Sequence, residues 1–202
     1  MLTILAGILL ITAVVVWASF FEWALHRYAM HRPLGKFTYA YQAHALVHHG
    51  LFKADRTYHL SAHENQADSK TIPMAWWNWM VLVPLAASPF ILAGFFGGKS
   101  VTFVALAVIA GYYGLYEYFH WCMHLPKGRR LERLGVFRAL NGHHLLHHRY
   151  PNRNLNVVLP LADFCCGTLM PRAPQPFKQP VHPSVPDVQP SILQAIIAKV
   201  VK

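Results

Sequence analysis

Imidazole nitrogen is a good ligand for iron, zinc, copper and nickel, and this chain carries fourteen histidines in 202 residues. Thirteen fall in short clusters: His26 and His31; His44, His48 and His49; His59 and His63; His120 and His124; and His143, His144, His147 and His148. Only His182 stands apart. So many imidazoles at such close spacing imply a site for more than one metal ion. The spacings also say how helices would present them. His120 and His124 are four apart and share one helix face. In HHLLHH, His143 lies four before His147, while His144 lies three before His147 and four before His148. One short helix can thus offer imidazoles toward two neighbouring metals. His26 and His31 are five apart, about 140° around an ideal α-helix. They converge only where the helix bends or ends, and Pro33 follows closely enough to end it.

Carboxylates are scarce. The chain has eight Asp and Glu, too few for a glutamate-rich dimetal site of the ferritin-like type. Two of them, Glu22 and Glu117, stand four before His26 and three before His120. From there a carboxylate would accept the outer ring N–H of a ligand and fix its tautomer and orientation. These two are the candidate site residues outside the ligand set. Cys122, Cys165 and Cys166 form no CxxC pair, which argues against an iron–sulfur cluster or a disulfide framework. HENQ (63–66) lacks the second histidine of an HEXXH zinc hydrolase.

The elements that must position these groups are apolar and long. Charged residues make up 13% of the chain, against roughly 25% in an average soluble domain. Leu2 to Phe21 is a charge-free run of 20 residues, Thr71 to Gly98 one of 28, and Ser100 to Tyr116 one of 17. A spanning helix needs about 20 mostly apolar residues. The runs predict three transmembrane helices near 2–24, 74–96 and 100–120, the last two forming a hairpin at Gly97-Gly98-Lys99. The first run has no basic leader and exceeds a signal-peptide core in length, so it reads as a retained helix. Six Lys/Arg lie in 27–73, one at Lys99 and eleven in 127–202. The positive-inside rule then places 27–73 and the C-terminal part in the cytoplasm. The net charge of +10 is thereby assigned to anionic headgroups rather than to nucleic acid. All six tryptophans fall toward that side, as an interfacial belt would. Every histidine cluster then meets on one side of the membrane, which disfavours a transporter, whose ligands lie near the bilayer midplane. A bis-His haem carrier would leave most of the histidines unexplained.

The chain reads as an all-α integral membrane protein with a cytoplasmic, helical, His-rich metal-binding cap over residues 1–170, followed by a tail, 171–202. Residues 26–72 form a polar connection between the first two spans. Pro126 and Gly128 break the chain after the third, Arg129 to Leu140 reads as a basic helix, and Asn141-Gly142 marks a boundary before the last cluster. Tyr150-Pro151-Asn152 is a turn. Seven prolines between Pro171 and Pro190 predict an extended segment, and Ser191 can cap a final helix, Ile192–Lys202.

HRYAMH (26–31), HALVHH (44–49), HWCMH (120–124) and HHLLHH (143–148), in this order and between apolar spans, resemble the histidine boxes of the membrane fatty acid hydroxylase/sterol desaturase superfamily. NLNVVLPLADFCCGTL (154–169) is similar to the segment that follows the last box, with Asp163 and Gly167-Thr168 in place. The resemblance covers roughly 20–170. It implies a dimetal centre of two iron ions with O2 as cosubstrate. The ligands it implies are His26, His31, His44, His48, His49, His120, His124, His143, His144, His147 and His148. His59 and His63 match no box, and His182 is not a ligand. It further implies hydroxylation of an unactivated C–H bond in a membrane lipid. The box spacing leans to a fatty-acyl chain, with lipid or sterol desaturation and carotenoid hydroxylation as alternatives. The chain carries no fused cytochrome-b5-like segment, so electrons would come from a separate donor of the ferredoxin or cytochrome-b5 type with its reductase. A membrane metal-binding or transport protein is the non-enzymatic alternative.

Overall fold

The computed structural model describes residues 3–60, 68–172 and 196. The described residues are helical and contain no strand, only an isolated bridge between Leu34 and Phe37. In chain order the α-helices are α1 (Ile4–Leu25), α2 (Tyr39–Tyr41), α3 (His49–Leu51), α4 (Asn78–Gly97), α5 (Lys99–His124), α6 (Gly135–Arg149) and α7 (Leu161–Cys165). Two π-helical segments interrupt them, His26–Met30 (π1), which continues α1, and Gln42–His48 (π2), between α2 and α3.

Three helices are long and apolar enough to cross a membrane: Ile4–Met30 with 27 residues, Asn78–Gly97 with 20 and Lys99–His124 with 26. The expected second span begins at Asn78 instead of 74, and the third runs to His124 instead of 120. The excess length matters. About 20 residues suffice to cross the hydrocarbon, so α1–π1 and α5 are each longer than a crossing needs, and both carry their histidines in their last turns. Ile4, Leu5, Leu92, Phe95, Phe96 and Phe103 stay exposed, as lipid-facing side chains do.

The spans meet on Val14, Val83, Ala86, Ala87, Ala105 and Ile109; small residues here let helices approach closely. The hairpin turns where its glycines predict. Gly98, at φ 96°, is the hinge between α4 and α5. One turn earlier, a Cβ on Gly94 would run into the Thr102 side chain. Gly94→Ala is therefore expected to destabilise the hairpin by about 1–3 kcal/mol, the usual cost of overpacking, read as a lower unfolding temperature in detergent. Pro89 cannot donate to the Leu85 carbonyl; the Ser88 hydroxyl does so instead at 2.8 Å. Trp17 departs from the expected interfacial belt. Its indole N–H donates to the Ala86 carbonyl at 2.8 Å, so it ties α1 to α4 within the span.

A second core of Tyr116, Cys122, Met123, Phe137, Leu140 and Val157 fastens α6 and the loop after it to the end of α5. The basic helix expected over 129–140, with a boundary at Asn141-Gly142, is corrected here. A short 3-10 turn, Leu131–Arg133, comes first, and α6 then runs unbroken from Gly135 to Arg149. Phe137, Leu140, His144, His147 and His148 make one buried stripe at three- and four-residue spacing. That burial outweighs the local preference of Asn-Gly for a turn. The Asn141 side chain is held by the Tyr58 hydroxyl at 2.9 Å. The turn at Tyr150-Pro151-Asn152 closes with Arg153 N–H on the Tyr150 carbonyl at 2.8 Å. The Pro-rich stretch after 172, the terminal helix, His63 and His182 lie outside the described residues.

Candidate metal centre

Ten histidines converge into two groups of five. His26, His31, His44, His49 and His147 form one; His48, His120, His124, His144 and His148 form the other. Within each group the facing nitrogens all lie within 4.8 Å of one another. Nine of the ten rings are buried, and His31 is half-buried.

The backbone explains the sorting. His26 and His31 are brought together neither by helix ending nor by Pro33, but by π1. A π-helix bonds i to i+5, and His31 N–H donates to the His26 carbonyl at 3.1 Å. The two rings stack with centroids 5.1 Å apart. π2 repeats the device: His49 N–H donates to the His44 carbonyl, and their Nε2 atoms lie 3.2 Å apart. His48, one residue earlier, points to the other group. In α5 and α6 the pairs are four apart on ordinary α-helix, His120 with His124 and His144 with His148. His147 leaves the α6 stripe toward the first group, so α6 serves both groups, as its spacing predicts. The groups share a wall: the rings of His49 and His148 stack at 4.1 Å.

The spacing fits a metal. Nitrogens about 2.1 Å from one ion, the usual metal–imidazole distance, stand about 3.0 Å apart when their bonds meet at right angles. In the first group Nε2 pairs lie at 2.8 Å (His26–His44), 3.1 Å (His31–His147) and 3.1 Å (His49–His147). In the second they lie at 3.1 Å for His48–His120, His124–His144 and His144–His148. His26, His124, His147 and His148 each donate Nδ1–H to a backbone carbonyl, of Leu155, Tyr58, Arg153 and Phe52. Each then turns an Nε2 lone pair inward. Five imidazole nitrogens facing one another at this spacing could hold a cation.

For these four rings the orienting acceptors are main-chain carbonyls and not the two glutamates. Glu22 accepts from the Tyr112 hydroxyl at 2.6 Å, from Asn156 Nδ2 at 3.1 Å and from Val157 N–H. Glu117 accepts from Met74 N–H at 3.1 Å. Neither touches a histidine; both tie the spans to the segments that support the site. Asp163 does more. It accepts from Leu155 N–H (2.9 Å), Asn156 N–H (2.8 Å), Thr168 Oγ1 (2.6 Å) and His143 Nε2 (3.1 Å). It thereby shapes the 154–157 segment whose Leu155 carbonyl orients His26. His143, expected as a ligand, is thus placed beside Asp163 and outside both groups. His59 lies outside both too, its Nδ1 bonded to the Met123 carbonyl at 2.9 Å.

Burial, followed by the neighbouring imidazoles, holds His44, His48, His49, His144 and His148 well below the ordinary imidazole value of 6.5. Burial and His26 do the same for His147. All six are neutral, ligand-competent bases near neutral pH. In the metal-free protein the sign follows directly. Below about pH 6.5 the unfolded chain takes up protons that the folded chain refuses, so stability falls as pH falls. Chelated protein is expected to unfold at a lower temperature at pH 5.5 than at pH 7.5, by thermal denaturation in detergent.

Comparison with protein families, with curated proteins and with solved structures finds no match to this chain.

An apolar cavity of about 50 Å³ opens among α1, α4 and α5. Phe21, Leu82, Val83, Ala86 and Ile109 line it, and His26 of the first group forms part of its wall.

Proposed function

We propose that the chain is an O2-dependent di-iron hydroxylase acting on an unactivated C–H bond of a membrane lipid, most simply a fatty-acyl chain. The observation that carries this reading is the junction of two unlike features. Two abutting five-histidine groups supply an all-nitrogen site for two ions, and one of their members, His26, also borders an apolar cavity among the spans. A metal store or transporter needs no such cavity beside its ligands. Two iron ions held there would supply the reductive activation of O2 that C–H cleavage requires, with electrons from a separate ferredoxin- or cytochrome-b5-type donor. The chain's own residues bind, orient and exclude water. The carbonyls of Leu155, Arg153, Tyr58 and Phe52 fix the ligand rings. The lining of Phe21, Val83, Ala86 and Ile109 accepts a methylene chain and keeps water from the reacting carbon. The excess of Lys and Arg in 27–73 and 127–202 supports a centre on the cytoplasmic side by the positive-inside rule.

The cavity separates this reading from simple metal binding. Ala86→Phe puts a ring into the space without replacing any histidine, and helicity and unfolding temperature in detergent check that the spans still pack. Hydroxylated product is expected to fall by at least about tenfold, since even one methylene in an apolar pocket is worth roughly 10–200-fold. Metal content should stay unchanged. Full activity in that variant would remove the cavity from the account. A product that has lost two hydrogens instead of gaining an oxygen would reassign the chain as a desaturase.

A further inference from the structure

On another face of α1 from the cavity, a separate cleft of about 320 Å³ lies between the end of the first span and the loops after α6 and α7. Arg27 and Arg153 reach it from different elements, alongside Trp23, Tyr28, Asn152 and Thr168. The Arg27 guanidinium lies 5.8 Å from the Tyr28 ring centroid and 5.3 Å from that of Trp23, and Arg32, outside the cleft lining, lies 5.9 Å from the Tyr28 ring. Arg27 Nε is buried with no hydrogen-bond partner among the described residues. Neither Arg27 nor Arg153 has a carboxylate partner there. Arg153 spends one nitrogen on the Gly167 carbonyl at 2.7 Å, which fixes the direction of its fork. Asp163, which holds the lining residue Thr168 through its hydroxyl, already accepts four hydrogen bonds.

We propose that this cleft binds the phosphate of an anionic phospholipid headgroup. Guanidinium forks match phosphate oxygens in charge and geometry. The depth is that of headgroups: Trp23 and Tyr28 stand at the end of the span, where amphipathic aromatics mark the interface. The surroundings fit a lipid better than a free ion. In sequence, Phe164 and Leu169, 71% and 37% exposed, flank the Cys166–Thr168 stretch that lines the cleft, so apolar surface for acyl chains lies on the same short segment. The occupancy is independent of the chemistry at the metal centre, although it reaches that centre structurally. Arg27 follows the ligand His26, and the Arg153 carbonyl accepts the Nδ1–H of His147.

The test uses the purified full chain in neutral detergent, titrated with phosphatidylglycerol, with phosphatidylcholine, or with inorganic phosphate, and read by thermal unfolding and native mass spectrometry. A lipid that binds the folded state alone raises the unfolding temperature. Phosphatidylglycerol is expected to do so and to be retained, with phosphatidylcholine at least several-fold weaker. Arg27→Gln/Arg153→Gln should weaken phosphatidylglycerol binding by roughly tenfold or more. Arg130→Gln/Arg133→Gln, exposed on another element, should leave it intact. Metal content and helicity distinguish a lost site from a lost fold. Should the double variant fail to fold, Arg27→Lys/Arg153→Lys keeps the charge and removes the forks, and should bind more weakly than wild type. Equal effects of inorganic phosphate through the same arginines would overturn the lipid assignment in favour of a soluble phosphate. An unchanged preference for phosphatidylglycerol in the Arg27/Arg153 variants, or no preference in wild type, would overturn the site.

Discussion

Replacing both His147 and His148 by alanine is expected to empty the metal centre, because these neighbours on α6 serve different groups. Each group keeps four of its five nitrogens, but His147 touches both His31 and His49, and His148 closes on His144. Metal content should drop from two ions per chain toward none. Activity should fall by more than about 100-fold, the upper end of what loss of even an outer hydrogen-bond partner costs. The apolar core on which the spans meet contains neither ring, so the variant should still insert in the membrane with wild-type helicity. Loss of one ion only, with activity retained, would mean that the two groups do not work together.

Asp163→Ala is expected to damage one half of the centre selectively. The carboxylate gathers two backbone N–H groups, a hydroxyl and an imidazole in a fully buried site. Leaving those donors unmet should cost about 2–5 kcal/mol of stability. The segment it shapes orients His26 through the Leu155 carbonyl and lies beside Arg153, which orients His147. Both are in the first group. The second group takes its orienting carbonyls from Tyr58 and Phe52, which Asp163 does not contact. In a two-step metal titration, one step should weaken by roughly 10–100-fold and the other stay unchanged. Equal weakening of both steps would show that Asp163 acts through global stability alone.

The sequence already announced the pairs at four-residue spacing, because an ordinary helix turn puts His120 over His124 and His144 over His148. The charge-free runs announced the spans for a similarly simple reason: length and apolarity suffice. The His26–His31 pair at five-residue spacing was legible only as a problem, and the His44–His49 pair was not singled out. His26 with His31, and His44 with His49, converge because the backbone adopts π-helix at both places, which no propensity predicts. Two HX4H spacings in one chain were the available signal for it. The orienting groups were illegible for a different reason. Every residue has a carbonyl, so Leu155, Tyr58, Phe52 and Arg153 carry no mark in sequence, whereas Glu22 and Glu117 drew attention by their charge and proved to brace the spans. Asn141-Gly142 misled in the opposite direction, since a local turn preference gave way to the buried stripe of α6.

The most direct measurement is mass spectrometry of lipids from cells grown under ¹⁸O₂, with adequate iron, expressing either the wild-type chain or the His147→Ala/His148→Ala variant. The account predicts a lipid whose acyl chain has gained one ¹⁸O, present with the wild type and absent with the variant. A wild-type lipid profile identical to that of the variant, from cells in which the purified wild-type chain carries two irons, would contradict it.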